Sequence, residues 1–384
     1  MLDLRTFASP EIVFGLGALK LSGQYAKKFG AQKALVVSDC RVVKAGWTER
    51  VCEMLEQEGI ATTLFSEISP PPRDSEIMAG AELYNKETCD VIVAVGSGNT
   101  MDCAKTIGIV STNNRNVLAF EGINKVDVPA PPLICIPTTA GSSSDVSQYA
   151  FITDSQKRST VSIIDKAIVP DVTLIDPETT ITMGAYLTAC TGMDALVHAI
   201  EAFVSSANSP LTDLLALEAI RLIHGNLVKA TETPNDLEVR KKLMLGSLKA
   251  GLAFSNAGLG TVHAMAHSIG GPHHLSHGEC NGILLNHVIA YNYNAVPERF
   301  DAIGEALGID DIKSRPKCQR LDAILAPLTE LKDTLGIRKT FGDHGVQKED
   351  IPELSRKALH DACMVTNPKQ PTLRDLQGLY EESF

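Results

Sequence analysis

No run of apolar residues in this 384-residue sequence approaches the roughly 18 that a membrane span needs. The opening stretch, MLDLRTFASPEIVFG, lacks a basic region followed by a long apolar segment, so no signal peptide is expected. Positive charge is also scarce. The 35 Lys and Arg stand against 46 Asp and Glu, a formal net charge of −11 spread along the chain. A nucleic-acid partner would want a basic patch, and this balance argues against one. The nine cysteines, at 40, 52, 89, 103, 135, 190, 280, 318 and 363, form no CxxC pair. An odd, scattered set, with Cys103, Cys135 and Cys190 inside apolar segments, reads as reduced buried thiols rather than a disulfide framework. Internal repeats and low-complexity segments are missing as well. These absences lead to the expectation of a cytoplasmic protein with neither a membrane nor a nucleic-acid partner.

The composition that remains, 44% hydrophobic and 21% charged, is that of a folded globular chain, and its length suggests two domains. In the first half, short β-branched runs at Glu11–Phe14, Ala34–Ser38, Thr62–Phe65, Val91–Val95 and Leu133–Ile136 alternate with amphipathic stretches such as Thr48–Glu58 and Ser75–Asn85. That alternation predicts a mostly parallel, Rossmann-like sheet with helices on both faces. Gln148–Thr153 and Thr160–Ile164 read as a hairpin, and Val172–Ile175 as one further strand. Beyond about Ala185 the apolar spacing changes to three and four, as in Leu211, Leu214, Leu215, Ala219, Leu222 and Ile223, which is helical. Pro210, Pro234, Pro297, Pro316 and Pro352 fall near helix starts. The expected organisation is an α/β dinucleotide-binding domain over 1–180 and an all-α metal-binding domain over 181–384.

Two segments carry chemistry. The strand Val91–Val95 runs into Gly96-Ser97-Gly98-Asn99-Thr100 and a helix over Met101–Ile109, with Asn99 as the expected N-cap and Asp102 in the first turn. A glycine turn feeding a helix N-terminus presents backbone N–H groups to a pyrophosphate. A plain strand–helix turn looks the same, and the third glycine of the usual fingerprint is absent. Asp39, at the end of the strand Ala34–Ser38, is placed to accept hydrogen bonds from adenosine ribose, yet it precedes the glycine loop instead of following it. The second segment is stronger. Asp194 and His198 are four apart, and His263 and His267 repeat that spacing, so on helices each pair shares a face. Five of the ten histidines lie between 263 and 277. Carboxylate with neutral imidazoles suits a divalent transition metal, provided the two helices pack together; a single pair would more often be a plain hydrogen bond, and it is the two pairs together that favour a metal.

At these residues the chain resembles the iron-containing (group III) alcohol dehydrogenases. The resemblance runs from Pro10–Gly15 to Tyr380–Glu382 and is most specific at Pro137–Ser142, Thr191–Glu201, Ser255–Gly271 and His277-Gly278 with Asn281. It implies Asp194, His198, His263 and His277 as metal ligands and His267 as a proton-relaying residue at the reacting centre. It implies Asp39 on the ribose, Gly96, Ser97, Gly98 and Asn99 around the pyrophosphate, Asp102 shaping that turn, and Thr138, Thr139 and Ser142 lining the cofactor cleft. His273 and His274 match no ligand position. Four positions depart from the family pattern: Ser97 for the middle glycine of the loop, Pro71 for an asparagine, Thr160 for a lysine, and Ser142-Ser143 for threonine and glycine.

The activity implied is hydride transfer between NAD and a small primary alcohol or diol, assisted by Fe²⁺, with Zn²⁺ as the alternative, in a homodimer or assembly of dimers. Other classes on the same scaffold are a transhydrogenase with retained NAD, a lyase, or a non-catalytic sensor. A lyase holding a charged substrate would want basic residues near the metal, and none occurs in Thr191–Ser209 or Gly251–Asn294. Leu252, Ala253 and Phe254 read equally as an apolar pocket wall or as ordinary helix core.

Overall fold

The computed structural model describes residues 6–157, 159–270 and 275–384, and the chain divides into two compact units, Ala8–Met183 and Gly184–Phe384, with Thr6 and Phe7 belonging to the latter. In the first unit the main strands are β1 (Glu11–Phe14), β2 (Lys33–Val37), β3 (Ala61–Phe65), β4 (Val91–Gly96), β6 (Leu133–Pro137) and β9 (Val172–Ile175). They form one sheet in the order β1-β9-β6-β4-β2-β3, parallel throughout. Three further strands, β5 (Gly122–Ile123), β7 (Tyr149–Asp154) and β8 (Ser159–Ile164), make a second sheet in which β7 and β8 form the expected antiparallel hairpin. Helices α1 (Ser22–Lys28), α2 (Cys40–Lys44), α3 (Trp47–Gln57), α4 (Asp74–Lys86) and α5 (Gly98–Asn113) cover the large sheet.

The alternation of side chains along each strand separates two cores. Leu35, Val37, Ile92, Ala94 and Cys135 pack on one face with α4 and α5 residues such as Ile77 and Ile107. Ala34, Val36, Val93, Val95 and Ile134 pack on the other with Trp47, Val51 and Leu55 of α3. Strands buried on both faces must be continuously apolar, which is why these runs were legible.

Counted from β2, the order β3-β2-β4-β6-β9 is the doubly wound order 2-1-3-4-5. The direction of winding reverses between β2 and β4, and such sheets bind ligands outside the strand ends at that reversal. Asp39 follows β2 and the glycine loop follows β4. The strand order therefore accounts for an acid that precedes its glycine turn.

The second unit is built from α6 (Ala185–Val204), α7 (Pro210–Glu232), α8 (Leu237–Ala257), α9 (Thr261–Gly270), α10 (His277–Tyr293), α11 (Pro297–Ala306), α12 (Lys317–Thr334), α13 (Ile351–Leu359) and α14 (Leu373–Glu382). Helices α6, α7 and α8 pack on one another, α10 lies against α6 and α9, and α13 lies against α9. One expectation needs correction. The 20 residues of α6 do reach the length and apolar composition of a membrane span. However, 89% of that apolar window is buried in the protein, and the helix carries Asp194, His198 and Glu201. A helix surrounded by other helices is apolar all round for the same reason a span is.

Candidate functional site

At the end of β4 the backbone closes tightly. A Cβ on Gly96 would lie 2.4 Å from Thr100 Oγ1, and one on Gly98 would lie 2.3 Å from Ser142 Oγ. Gly98 is thus needed because the loop after β6 presses against it. Ser97, not Asn99, occupies the N-cap of α5, in extended backbone (φ −81°, ψ 179°) and without a side-chain cap bond. Extended backbone accepts any residue, so the loop keeps its course although the family's middle glycine has become serine. Asn99 lies in the first turn because α5 begins at Gly98, ahead of the Met101 start expected from apolar spacing.

Parallel pairing of β4 with β6 sets Thr138, Thr139 and Ser142 beside this loop, and the Thr138 N–H donates to Gly96 O at 2.8 Å. Ser143 has φ +52°, the left-handed region that favours glycine, which accounts for glycine being the usual residue there. Asp39 Oδ1 accepts from the Arg41 and Val42 N–H groups at 2.9 and 3.2 Å, so it caps α2. Its Oδ2 accepts from Thr100 Oγ1 at 3.3 Å, which ties the end of β2 to the first turn of α5.

Asp102 lies beneath the loop. It is buried, and its Oδ2 accepts the Phe151 N–H at 3.1 Å. Burial pushes its pKa up to about 6. One turn on, buried Lys105 donates Nζ to Ser147 O at 2.7 Å and Tyr149 O at 2.8 Å. The pair stitches α5 to the start of β7 and so holds the loop from below. Of the other departures, Thr160 lies in β8 opposite Thr153, and Pro71 in the turn between β3 and α4.

In the helical unit, α6 presents Asp194 and His198 one turn apart, α9 presents His263 and His267, and His277 is the first residue of α10. Their helices bring three ring nitrogens to one carboxylate oxygen. Asp194 Oδ1 is 3.8 Å from His198 Nε2, 3.6 Å from His263 Nε2 and 3.7 Å from His277 Nε2. Those separations exceed a hydrogen bond. Donors held about 2.1 Å from a tetrahedral cation stand about 3.4 Å apart, so the cluster has the span of a metal's ligand shell. The donor atoms of Asp194, His263 and His277 all lie within 4.8 Å of one another. His198, whose ring stacks 4.5 Å from that of His263, stands slightly outside that trio.

The electrostatics agree with a site built for positive charge. Burial alone would raise the Asp194 pKa, but the surrounding His198, His263 and His277 hold it below the usual carboxylate range. Burial pulls the His263 pKa down, yet the carboxylates of Asp194 and Glu201 on either side of the ring outweigh it and carry it up to about 9. A second proton on the His263 ring, at Nε2, would stand where a cation would bind, and a cation held there would displace it.

The remaining candidates separate. His267 Nδ1 is 2.9 Å from Asp361 Oδ2, and its ring stacks 5.2 Å from that of His277. His273 and His274 lie outside the described residues. Phe254 stacks on His198 at 4.3 Å, while Leu252 and Ala253 are buried core residues of α8. Three further residues surround the cluster. Asn281 Nδ2 donates to Asp194 Oδ1 at 2.7 Å, Asp361 holds His267, and Glu201 holds His263. Glu201 was findable, since 194, 198 and 201 share one helix face. Asp361, 94 residues from its partner, left no local signal. Two residues near the C-terminus clamp α9: Asn367 Oδ1 accepts the Thr261 N–H at 3.1 Å, and Tyr380 Oη donates to Met265 O at 2.8 Å.

Comparison with known proteins agrees across the whole chain. The family model described as iron-containing alcohol dehydrogenase matches residues 9–177, and that of the Fe-containing alcohol dehydrogenase family, C-terminal, matches 188–384. The NAD-dependent methanol dehydrogenase of Bacillus methanolicus is 37% identical over 98% of this chain and 99% of its own length. The 1,3-propanediol dehydrogenase of Klebsiella pneumoniae is 36% identical over 97% of this chain and 96% of its own. A crystal structure of a 1,3-propanediol oxidoreductase superposes with a TM-score of 0.96 at 35% identity, covering 100% of both chains. The chain belongs to the iron-containing alcohol dehydrogenase family and is an oxidoreductase that interconverts alcohols with their carbonyl counterparts.

Proposed function

We propose that this chain passes hydride between NAD and a small primary alcohol or diol, at a divalent cation held by Asp194, His198, His263 and His277. The observation that carries the proposal is the convergence of three Nε2 atoms on Asp194 Oδ1 at 3.6–3.8 Å, in a cluster buried except at His277. Such a cation would lower the pKa of an alcohol hydroxyl and polarise a carbonyl. One carboxylate with three imidazoles serves Fe²⁺ and Zn²⁺ alike; Fe²⁺ is proposed because the family's name carries it, and supply and geometry decide between them. His267 exchanges the hydroxyl proton at Nε2, since Asp361 occupies Nδ1. Phe254, stacked on His198, and the absence of Lys and Arg from Gly251–Asn294 favour an uncharged, small alcohol. The methanol and propanediol specificities of the two relatives point to the same size range.

NAD would lie with its pyrophosphate on the N-terminus of α5, at Gly96–Asn99, beside Thr138, Thr139 and Ser142. Its adenosine ribose would meet Asp39, which disfavours a 2′-phosphate. Asp39→Gly should shift the NAD-to-NADP ratio of kcat/KM toward NADP by about tenfold or more. Glycine also serves at an N-cap, so the accompanying loss of stability should be only a few tenths of a kcal/mol. Steady-state kinetics with both cofactors check this, and unchanged selectivity would show that Asp39 does not face the ribose.

The site is proposed to work in the cytoplasm, where nine cysteines that are all free would stay reduced. A homodimer or an assembly of dimers is the proposed state, to be read by light scattering on the eluted protein. The reaction itself is tested anaerobically, by reloading metal-free protein with Fe²⁺ or Zn²⁺, adding NAD, and screening short alcohols and diols for NADH absorbance. Silence across the panel, with metal and NAD both bound, would redirect the assignment to retained-cofactor transhydrogenation or to lyase chemistry.

A further inference from the structure

Glu201 is buried, and its two carboxylate oxygens are matched by three donors. A carboxylate so deeply placed needs its oxygens bonded. Oε1 accepts the Val262 N–H at 2.7 Å, and Oε2 accepts the Gly260 N–H at 2.9 Å. Both donors stand at the start of α9, where the first N–H groups of a helix have no partner within it. The approach is close, for a Cβ on Gly260 would lie 2.9 Å from Glu201 Oε1. The remaining capacity of Oε2 meets His263 Nδ1 at 2.6 Å.

Backbone N–H groups only donate, so the carboxylate is fixed as the acceptor, and the proton of this third bond belongs to His263 Nδ1. In the neutral ring the lone pair then falls on Nε2, the nitrogen 3.6 Å from Asp194 Oδ1. Glu201 lies on α6, three residues beyond His198 and seven beyond Asp194, so it shares their helix face. One helix thus supplies two of the proposed ligands and the group that sets the tautomer of a third.

We propose that Glu201 is the positioning residue of the metal centre: it holds the His263 ring on Nδ1 and presents Nε2 to the cation while fixing the N-terminus of α9. The inference rests on the ligand assignment above, and metal binding can test the two apart. Outer partners of this kind change metal affinity by about 10–100-fold when removed.

Glu201→Gln should therefore weaken Zn²⁺ binding by about 10–100-fold, measured by competition with a chromophoric chelator. The visible d–d spectrum of the Co²⁺-substituted protein should shift as well, because His263 no longer meets the cation in one orientation. A purely structural cap would lower the melting temperature of the metal-free protein and leave both readouts at wild-type values in the folded fraction. Wild-type affinity with an unchanged Co²⁺ spectrum overturns the proposal. Should Glu201→Gln fail to fold, Glu201→Asp, which keeps the charge on a shorter arm, takes its place with the same expected direction and the same overturning result. Retention of metal by Asp194→Ala would instead refute the ligand assignment, whatever the Glu201 variants do.

Discussion

Replacing His263 by alanine is expected to abolish turnover and to leave the purified protein almost free of metal. The imidazole is 1% exposed at its side chain and bridges two buried acids, with Nδ1 2.6 Å from Glu201 and Nε2 3.6 Å from Asp194. Alanine removes a proposed ligand and, with it, one partner of each carboxylate. The loss of affinity should exceed the about 10–100-fold that follows removal of an outer partner, because a direct donor is gone. Asp194 also loses one of the imidazoles that hold it ionised. Metal analysis of the protein as purified and NADH formation from a short alcohol check the result. A near-normal rate in His263→Ala would contradict the ligand assignment.

The second large effect is expected from Gly278→Ala, a change of one methyl group. A Cβ at Gly278 would stand 1.9 Å from Cys190 O and 2.6 Å from Cys190 C. Those are backbone atoms of α6, so no side chain can rotate away. Helix α10 must move off α6, carrying His277 immediately before it and Asn281 a turn later. Overpacking of this kind costs about 3 kcal/mol. In a unit of this size that is roughly 6–12 °C in melting temperature. Metal affinity should fall with it, because His277 and the Asn281 amide shift relative to Asp194. Gly225→Ala, on α7 with nothing within 4 Å of its Cβ, is the control and should be neutral or slightly stabilising. Equal melting curves for Gly278→Ala and the wild type would contradict the contact.

The reason so much of the fold was readable lies in how the strands are buried. Runs such as Val91–Val95 are covered on both faces and must be apolar at every position, so the sequence marks them within a residue or two. Helix starts were clear where proline stands at the first turn, as at Pro210 and Pro297. Boundaries set by tertiary contact were less clear. The start of α5 at Gly98 depends on how the loop meets Ser142, and apolar spacing places it three residues late.

At the site, the pairs Asp194/His198 and His263/His267 are visible as helical spacing, whereas their meeting depends on how α6, α9 and α10 pack. Asp39 was puzzling in linear order and makes sense only once β2 and β4 lie side by side. Asp361 and Tyr380 act on α9 from 94 and 115 residues away, a distance at which no periodicity operates.

Metal content and NADH formation, measured on one sample as it is stripped and then reloaded without oxygen, test the central claim most directly. The account predicts that the metal-free protein is inactive and that the rate returns in proportion to the Fe²⁺ or Zn²⁺ bound. Undiminished NADH formation by the metal-free protein would contradict it.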